Sequence, residues 1–228
     1  MWPETESYLD RRAVVKRLIA GGANPNLAAP GHKPALGWAL GGSTIQIVET
    51  LISSGANVNV TIKTPYGGQE NMLQAIYGYD ARDEDRERSA KALLLLKAGI
   101  DPTKPHTKGI LGEYLIEFGD SPEVVDLLLK KKLSVSEADS VGRTPLMNSI
   151  WRPYAFKKLL AQGAPVDAKD NRKNTALMLA AQSGSEESVR LLLSAGANRH
   201  AVNRDGNSAL DLAKAAGHPE IVKLLTGN

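Results

Sequence analysis

Four histidines, His32, His106, His200 and His218, are the side chains of this 228-residue chain best suited to ligate a metal, and there is no Cys beside them. No two stand at metal-ligand spacing and no zincin pattern occurs, so no metal is expected. The lack of Cys excludes disulfides, thiolate metal sites and cysteine nucleophiles. Gly41-Gly42-Ser43 and Gly67-Gly68 lack the downstream Lys of a phosphate-cradling loop, and no Ser lies in a nucleophile elbow. The acidic pair Glu186-Glu187 falls at a predicted helix N-terminus, where the helix dipole accounts for it without catalysis. These residues describe a non-enzyme without cofactors.

Composition agrees with packed small helices. Hydrophobic residues make up 42% of the chain but aromatics only 5%, with Leu, Ala and Gly carrying most of the apolar and small content. Net charge is +3, from 28 basic and 25 acidic residues, which describes a mixed surface and does not point to nucleic acid. No apolar run approaches the ~18 residues of a membrane helix, and Met1-Trp2-Pro3-Glu4-Thr5-Glu6 is no secretory leader. A cytoplasmic protein, monomeric by itself and away from membranes, is expected.

The elements that would position any functional residue emerge when the chain is compared with itself. Leu-rich helical stretches end in the turns Gly22-Ala23-Asn24-Pro25-Asn26, Gly55-Ala56-Asn57-Val58-Asn59, Gly99-Ile100-Asp101-Pro102-Thr103, Gly163-Ala164-Pro165-Val166-Asp167 and Gly196-Ala197-Asn198-Arg199-His200. A degenerate copy begins at Lys132, and the successive separations are 33, 44, 33, 31 and 33 residues. A period near 33 predicts a repeat architecture. About 14 residues after most turns a second helix opens, at Pro34-Ala35-Leu36, Thr144-Pro145-Leu146, Thr175-Ala176-Leu177 and Ser208-Ala209-Leu210. Thr or Ser caps the first turn there, and Pro at the first helical position gives up no needed amide. Ala39, Ala180, Ala181 and Ala213 fall on these inner helices, where small side chains let neighbouring units approach.

These residues resemble the ankyrin repeat family. Asp139-Ser140-Val141-Gly142-Arg143-Thr144-Pro145-Leu146 is similar to its opening, Gly217 to Leu225 to its middle and Gly55 to Asn59 to its end. The resemblance implies an all-α solenoid of helix-turn-helix units with extended, β-hairpin-like fingers, and makes His218 a capping and packing residue. The expected division of this single domain is an N-terminal half-repeat over 1–30, repeats over 31–59, 60–103 (expanded), 104–139 (degenerate), 140–170 and 171–203, and a C-terminal cap over 204–228. It also implies a module that binds folded proteins through finger tips and inner-helix surfaces.

Departures from the period point to where a partner would sit. The repeat over 60–103 carries about four extra residues in its finger, including Lys63 and Tyr66, and about seven between its helices, including Tyr77, Tyr79 and Asp80 to Arg86. Solenoid insertions are pushed outward, often onto the binding face; the alternative is neutral drift of a solvated loop. From Leu146 to Gly163 the spacing shrinks to 17, and Trp151-Arg152-Pro153-Tyr154 replaces the usual connection. That shortening either exposes Trp151 and Arg152 beside the groove or uses the aromatic to plug a gap. Charge is uneven as well: residues 1–139 hold 16 basic and 18 acidic side chains, residues 140–228 hold 12 and 7. Arg143, Lys169, Arg172, Lys173, Arg199 and Arg204 in the later fingers form a basic rim that could steer an acidic protein, or a solvated surface moderated by Asp139, Asp170 and Asp205.

The expected partner-binding residues are Lys63, Tyr66, Tyr77, Tyr79, Arg143, Trp151, Arg152, Arg172, Lys173 and Arg204. The expected function is a non-catalytic interaction module for a folded protein, acting as an adaptor or as an inhibitor such as a toxin-neutralising immunity protein. The rival is an enzyme or small-ligand-binding protein with its site in the expanded repeat, around Asp80 to Asp85.

Overall fold

The computed structural model describes residues 11–29, 32–42, 44–63, 68–77, 85–105 and 108–227. The fold is all-α, with one short hairpin, and its contacts divide the chain into two compact units, 1–105 and 106–228.

In the first unit, α1 (Arg11–Ala20) packs on α3 (Ile45–Ser53), which pairs with the inner helix α2 (Ala35–Gly42). The enlarged finger forms the antiparallel strands β1 (Ile62–Lys63) and β2 (Gln69–Glu70), with Ile62 opposite Glu70. Ile62 is buried against α2, where a Cβ on Gly37 would come within 2.9 Å of its Cδ1. The inner helix of this repeat shrinks to a single 3-10 turn, Gln74–Ile76, before α4 (Asp85–Lys97). Asn71 Oδ1 accepts from the amides of Leu73 and Gln74 at 3.0 and 3.1 Å, and Gln74 Oε1 accepts from the Asn71 amide at 3.0 Å. This reciprocal cap holds the turn in place of the hydrogen bonds a longer helix would supply.

The second unit stacks four helix pairs: α5 (Ile110–Phe118) with α6 (Pro122–Lys130), α7 (Pro145–Asn148) with α8 (Pro153–Ala161), α9 (Ala176–Ser183) with α10 (Glu186–Ser194), and α11 (Ala209–Ala216) with α12 (Pro219–Thr226). Thr144, Thr175 and Ser208 cap α7, α9 and α11 through their hydroxyls, as their types predict. α5 has no such residue and starts on Gly109, at φ 72°, where a Cβ would lie 2.5 Å from the Asp139 backbone. Ala180, Ala181 and Ala213 are fully buried, so the inner helices do approach across small side chains. Gly22, Gly55, Gly99, Gly163 and Gly196 all adopt left-handed φ after their helices, and Lys132 does so at 59° in the degenerate turn.

These helices are too short to retire their own terminal carbonyls, and the ends of α2, α5, α7 and α9 are each finished by a side chain from the following repeat. The Leu40 carbonyl accepts from Lys91 Nζ at 3.3 Å, Ile116 from Arg152 Nη2 at 2.8 Å, Ile150 from Ser188 Oγ at 2.7 Å and Ser185 Oγ at 3.3 Å, and Gln182 lies 3.2 Å from His218 Nε2. Arg152, Ser185 and His218 occupy the same place, the N-cap of the outer helix.

Lys91 is fully buried, with a Glu87 carboxylate oxygen 3.9 Å from its Nζ, and burial pushes its ammonium pKa below the usual 10.5. A lysine easier to deprotonate in the fold than in the unfolded chain lowers stability while charged in both states. That penalty lifts as pH rises through the folded pKa and is gone above 10.5. The native chain should therefore gain stability relative to Lys91→Met as pH is raised from neutral towards 10.5, measured by urea unfolding of both proteins; a difference that stays flat would contradict the buried, charged Lys91.

Candidate interaction surface

In the second unit the residue seven places after each inner-helix N-cap is Ile116, Trp151, Gln182 and Ala215, counted from Gly109, Thr144, Thr175 and Ser208. α7 stops at Asn148, so Trp151 arrives there on a turn rather than on a helix. Its side chain is 60% exposed. Ser185 and Ser188 hold the Ile150 carbonyl just before it, which fixes where the indole emerges. Together with Ile116, Met147, Ile150, Leu179 and Arg143, Trp151 lines a groove of about 420 Å³.

Arg152, the neighbour expected to be exposed with it, is half-buried and does not line the groove. Its guanidinium pairs with Asp120 and reaches the Ile116 carbonyl, and its stem packs where a Cβ on Gly119 would lie 2.7 Å from Arg152 Cγ. The shortened connection is thus filled by the arginine, leaving the tryptophan beside the groove.

Three fingers share one internal design. Asp139, Asp170 and Asn203 each use a side-chain oxygen to accept from the amides two and four residues on, at 2.8 to 3.0 Å. Adjacent fingers are joined by Asn171 N to Val141 O at 3.1 Å and Arg204 N to Arg172 O at 2.9 Å. The third residue on from each Asx is left-handed: Gly142 at 82°, Lys173 at 61° and Gly206 at 79°. Glycine suits that conformation, and Lys173 holds it at a backbone cost of about 1–2 kcal/mol.

The finger cations are placed differently from those on the outer helices. Lys157 pairs with Glu187 at 2.7 Å, Lys158 with Asp126 at 2.9 Å and Lys223 with Glu220 at 2.8 Å. Arg172 meets Asp205 at 3.2 Å, while Arg143, Lys173 and Arg204 are exposed and form no ion pair among the described residues.

Of the positions expected in the expanded repeat, Tyr66 and Tyr79 lie outside the described residues, as do Asp80 to Glu84. Tyr77 is half-buried at the end of the 3-10 turn, and its amide donates to Gln74 O at 3.2 Å. Lys63 is exposed on β1 and lines a recess of about 240 Å³ with His32, Lys33 and Pro34. Asn59, which opens an Asn-x-Thr sequence, joins neighbouring turns: its Nδ2 donates to Gly99 O at 3.4 Å and its Oδ1 accepts from the Asp101 amide at 2.7 Å. Among the described residues no cluster of His, Asp and Glu stands ready to hold a metal.

Sequence reasoning missed Trp38, which is 55% exposed on α2 with Lys33 Nζ 5.8 Å from its ring centroid. Its position, four residues past the helix-opening Pro34, matches Asn148 and Leu179 after Thr144 and Thr175, and that register would have placed it on the inner-helix face.

Residues 152–228 match the family profile "Ankyrin repeats (3 copies)". The whole fold is similar to the crystal structure of the human ASB11 ankyrin repeat domain, with a TM-score of 0.71 and 28% identity over 94% of this chain and 93% of that one. Residues 152–228 carry ankyrin repeats, and the fold of the chain is that of an ankyrin repeat domain. No curated protein sequence matches it significantly, whereas 482 chains of solved structure do, so the fold alone does not choose a partner. Ankyrin repeats are general protein–protein interaction modules. No helix among the described residues is long and apolar enough to cross a membrane.

Replacing Lys173 by Gly should stabilise the ankyrin-repeat chain by roughly 0.5–1 kcal/mol, since the relief of left-handed strain exceeds the added unfolded-state entropy. Urea unfolding measures this, and a destabilised variant would contradict the strain at this finger.

Proposed function

We propose that this ankyrin-repeat chain binds a folded protein through the inner-helix and finger surface of its second unit, acting as an adaptor or an inhibitor. The observation that carries the reading is Trp151, a large indole 60% exposed directly after a carbonyl, that of Ile150, which accepts from two serines of the next repeat. An exposed aromatic on a rigid support anchors a partner at little ordering cost. Arg143 beside it, and Lys173 and Arg204 on the neighbouring fingers, supply steering charge for a partner with an acidic surface. Lys63, Tyr66, Tyr77 and Tyr79 of the expanded repeat in the first unit, and Arg172 in the second, are further partner-contact residues of the proposal; Arg152 supports it by packing the turn that presents Trp151. A cytoplasmic setting, and a monomer until the partner binds, complete the proposal.

The test is site-specific photo-crosslinking in cells of the source organism. A photoreactive residue replacing Val141, which is 53% exposed near the groove, should give a discrete protein adduct that Trp151→Ala abolishes, while the same probe replacing Lys157 on the outer helix gives none. Equal labelling from both positions, or an adduct indifferent to Trp151→Ala, would overturn the assignment.

A further inference from the structure

The groove beside Trp151 has a composition that selects among protein partners. Its walls are apolar at Ile116, Met147, Ile150, Trp151 and Leu179, and Arg143 is its one charged lining residue. At about 420 Å³ it lies within the range of roughly 300–1,000 Å³ that accepts a side chain and its neighbours. Beyond Arg143, towards the finger tips, come Lys173 and Arg204, also without an ion pair among the described residues. On the outer helices of the same unit Lys157, Lys158 and Lys223 are matched by Glu187, Asp126 and Glu220, whereas Arg143, Lys173 and Arg204 stand open. Lys173 sharpens the point. It keeps a charged side chain at a left-handed position that Gly142 and Gly206 fill in the fingers on either side.

Resting on the protein-binding reading above, we infer that the groove takes an extended segment of the partner in which a large apolar side chain is flanked by carboxylates. The apolar side chain sits between Trp151 and Leu179, a neighbouring Asp or Glu meets Arg143, and further acidic residues run towards Lys173 and Arg204. Arginine forks a carboxylate in two parallel hydrogen bonds, which sets the distance between charge and anchor. Acidic protein is favoured over nucleic acid because the groove, lined by five apolar residues and by the neutral Asn148, Gln182 and Ser183, offers a single cation, where a phosphate chain needs a run of them.

Selection of a random peptide library on the full chain tests this. The expected consensus places Asp or Glu within two residues of a Leu, Ile, Met or Phe. A synthetic consensus peptide should lose at least 10-fold in affinity with Trp151→Ala and with Arg143→Glu, both retaining the parent circular dichroism, and bind Lys157→Glu as tightly as the parent. A neutral or basic consensus, affinities unmoved by the two groove substitutions, or tighter binding of a single-stranded oligothymidylate than of the peptide would overturn the inference. If no peptide is enriched while the crosslink from position 141 persists and still depends on Trp151, the acidic-segment inference falls and the protein-binding reading stands; loss of both removes both.

Discussion

The structure depends on one recurring contact, a side chain of one repeat hydrogen-bonded to the last free carbonyl of the inner helix before it. An inner helix such as α7, four residues long, has as many terminal carbonyls as it has residues, and each buried one left unmet costs about 1–3 kcal/mol. Lys91, Arg152, the Ser185 and Ser188 pair, and His218 supply the donors with four different chemistries. Apolar packing across Ala180, Ala181 and Ala213 is non-directional and tolerates sliding. The hydrogen bonds are directional, and they fix the register between neighbouring repeats.

That register is what makes a surface out of separate repeats. Ile116, Trp151 and Gln182 come from three repeats yet occupy one position in each, and the finger-to-finger bonds from Asn171 to Val141 and Arg204 to Arg172 align the basic tips beside them. The shortened repeat shows how a deletion can be structural and functional together. Removing a turn after Asn148 leaves a gap at Gly119 that Arg152 fills, and the same change brings Trp151 to the rim of the groove.

Where the chemistry is local, residue type alone specifies the structure. Thr144, Thr175 and Ser208 cap the amides of their own first turns, and the turn glycines adopt the left-handed backbone that their type favours. Even the degenerate copy was legible, since Lys132 stands in the turn where Gly22 and Gly55 stand in theirs. Arg152 was placed at the groove because its true acceptor is a backbone carbonyl 36 residues earlier, and backbone groups leave no trace in residue types. Lys91 escaped notice for the same reason: its acceptor lies 51 residues away at Leu40. Trp38 was hidden by its neighbours, an apolar run that reads as core unless each residue is counted from the helix start.

If carbonyl capping between repeats fixes the stack, Arg152 is a structural staple and its loss will be felt in the backbone of the helices it joins. Native-state hydrogen exchange of the full chain carrying Arg152→Leu measures this segment by segment. Amides of α5 and α7 should exchange roughly 10-fold faster or more, the factor that a loss of about 1.4 kcal/mol produces. Unchanged protection in α5 and α7 would contradict the account.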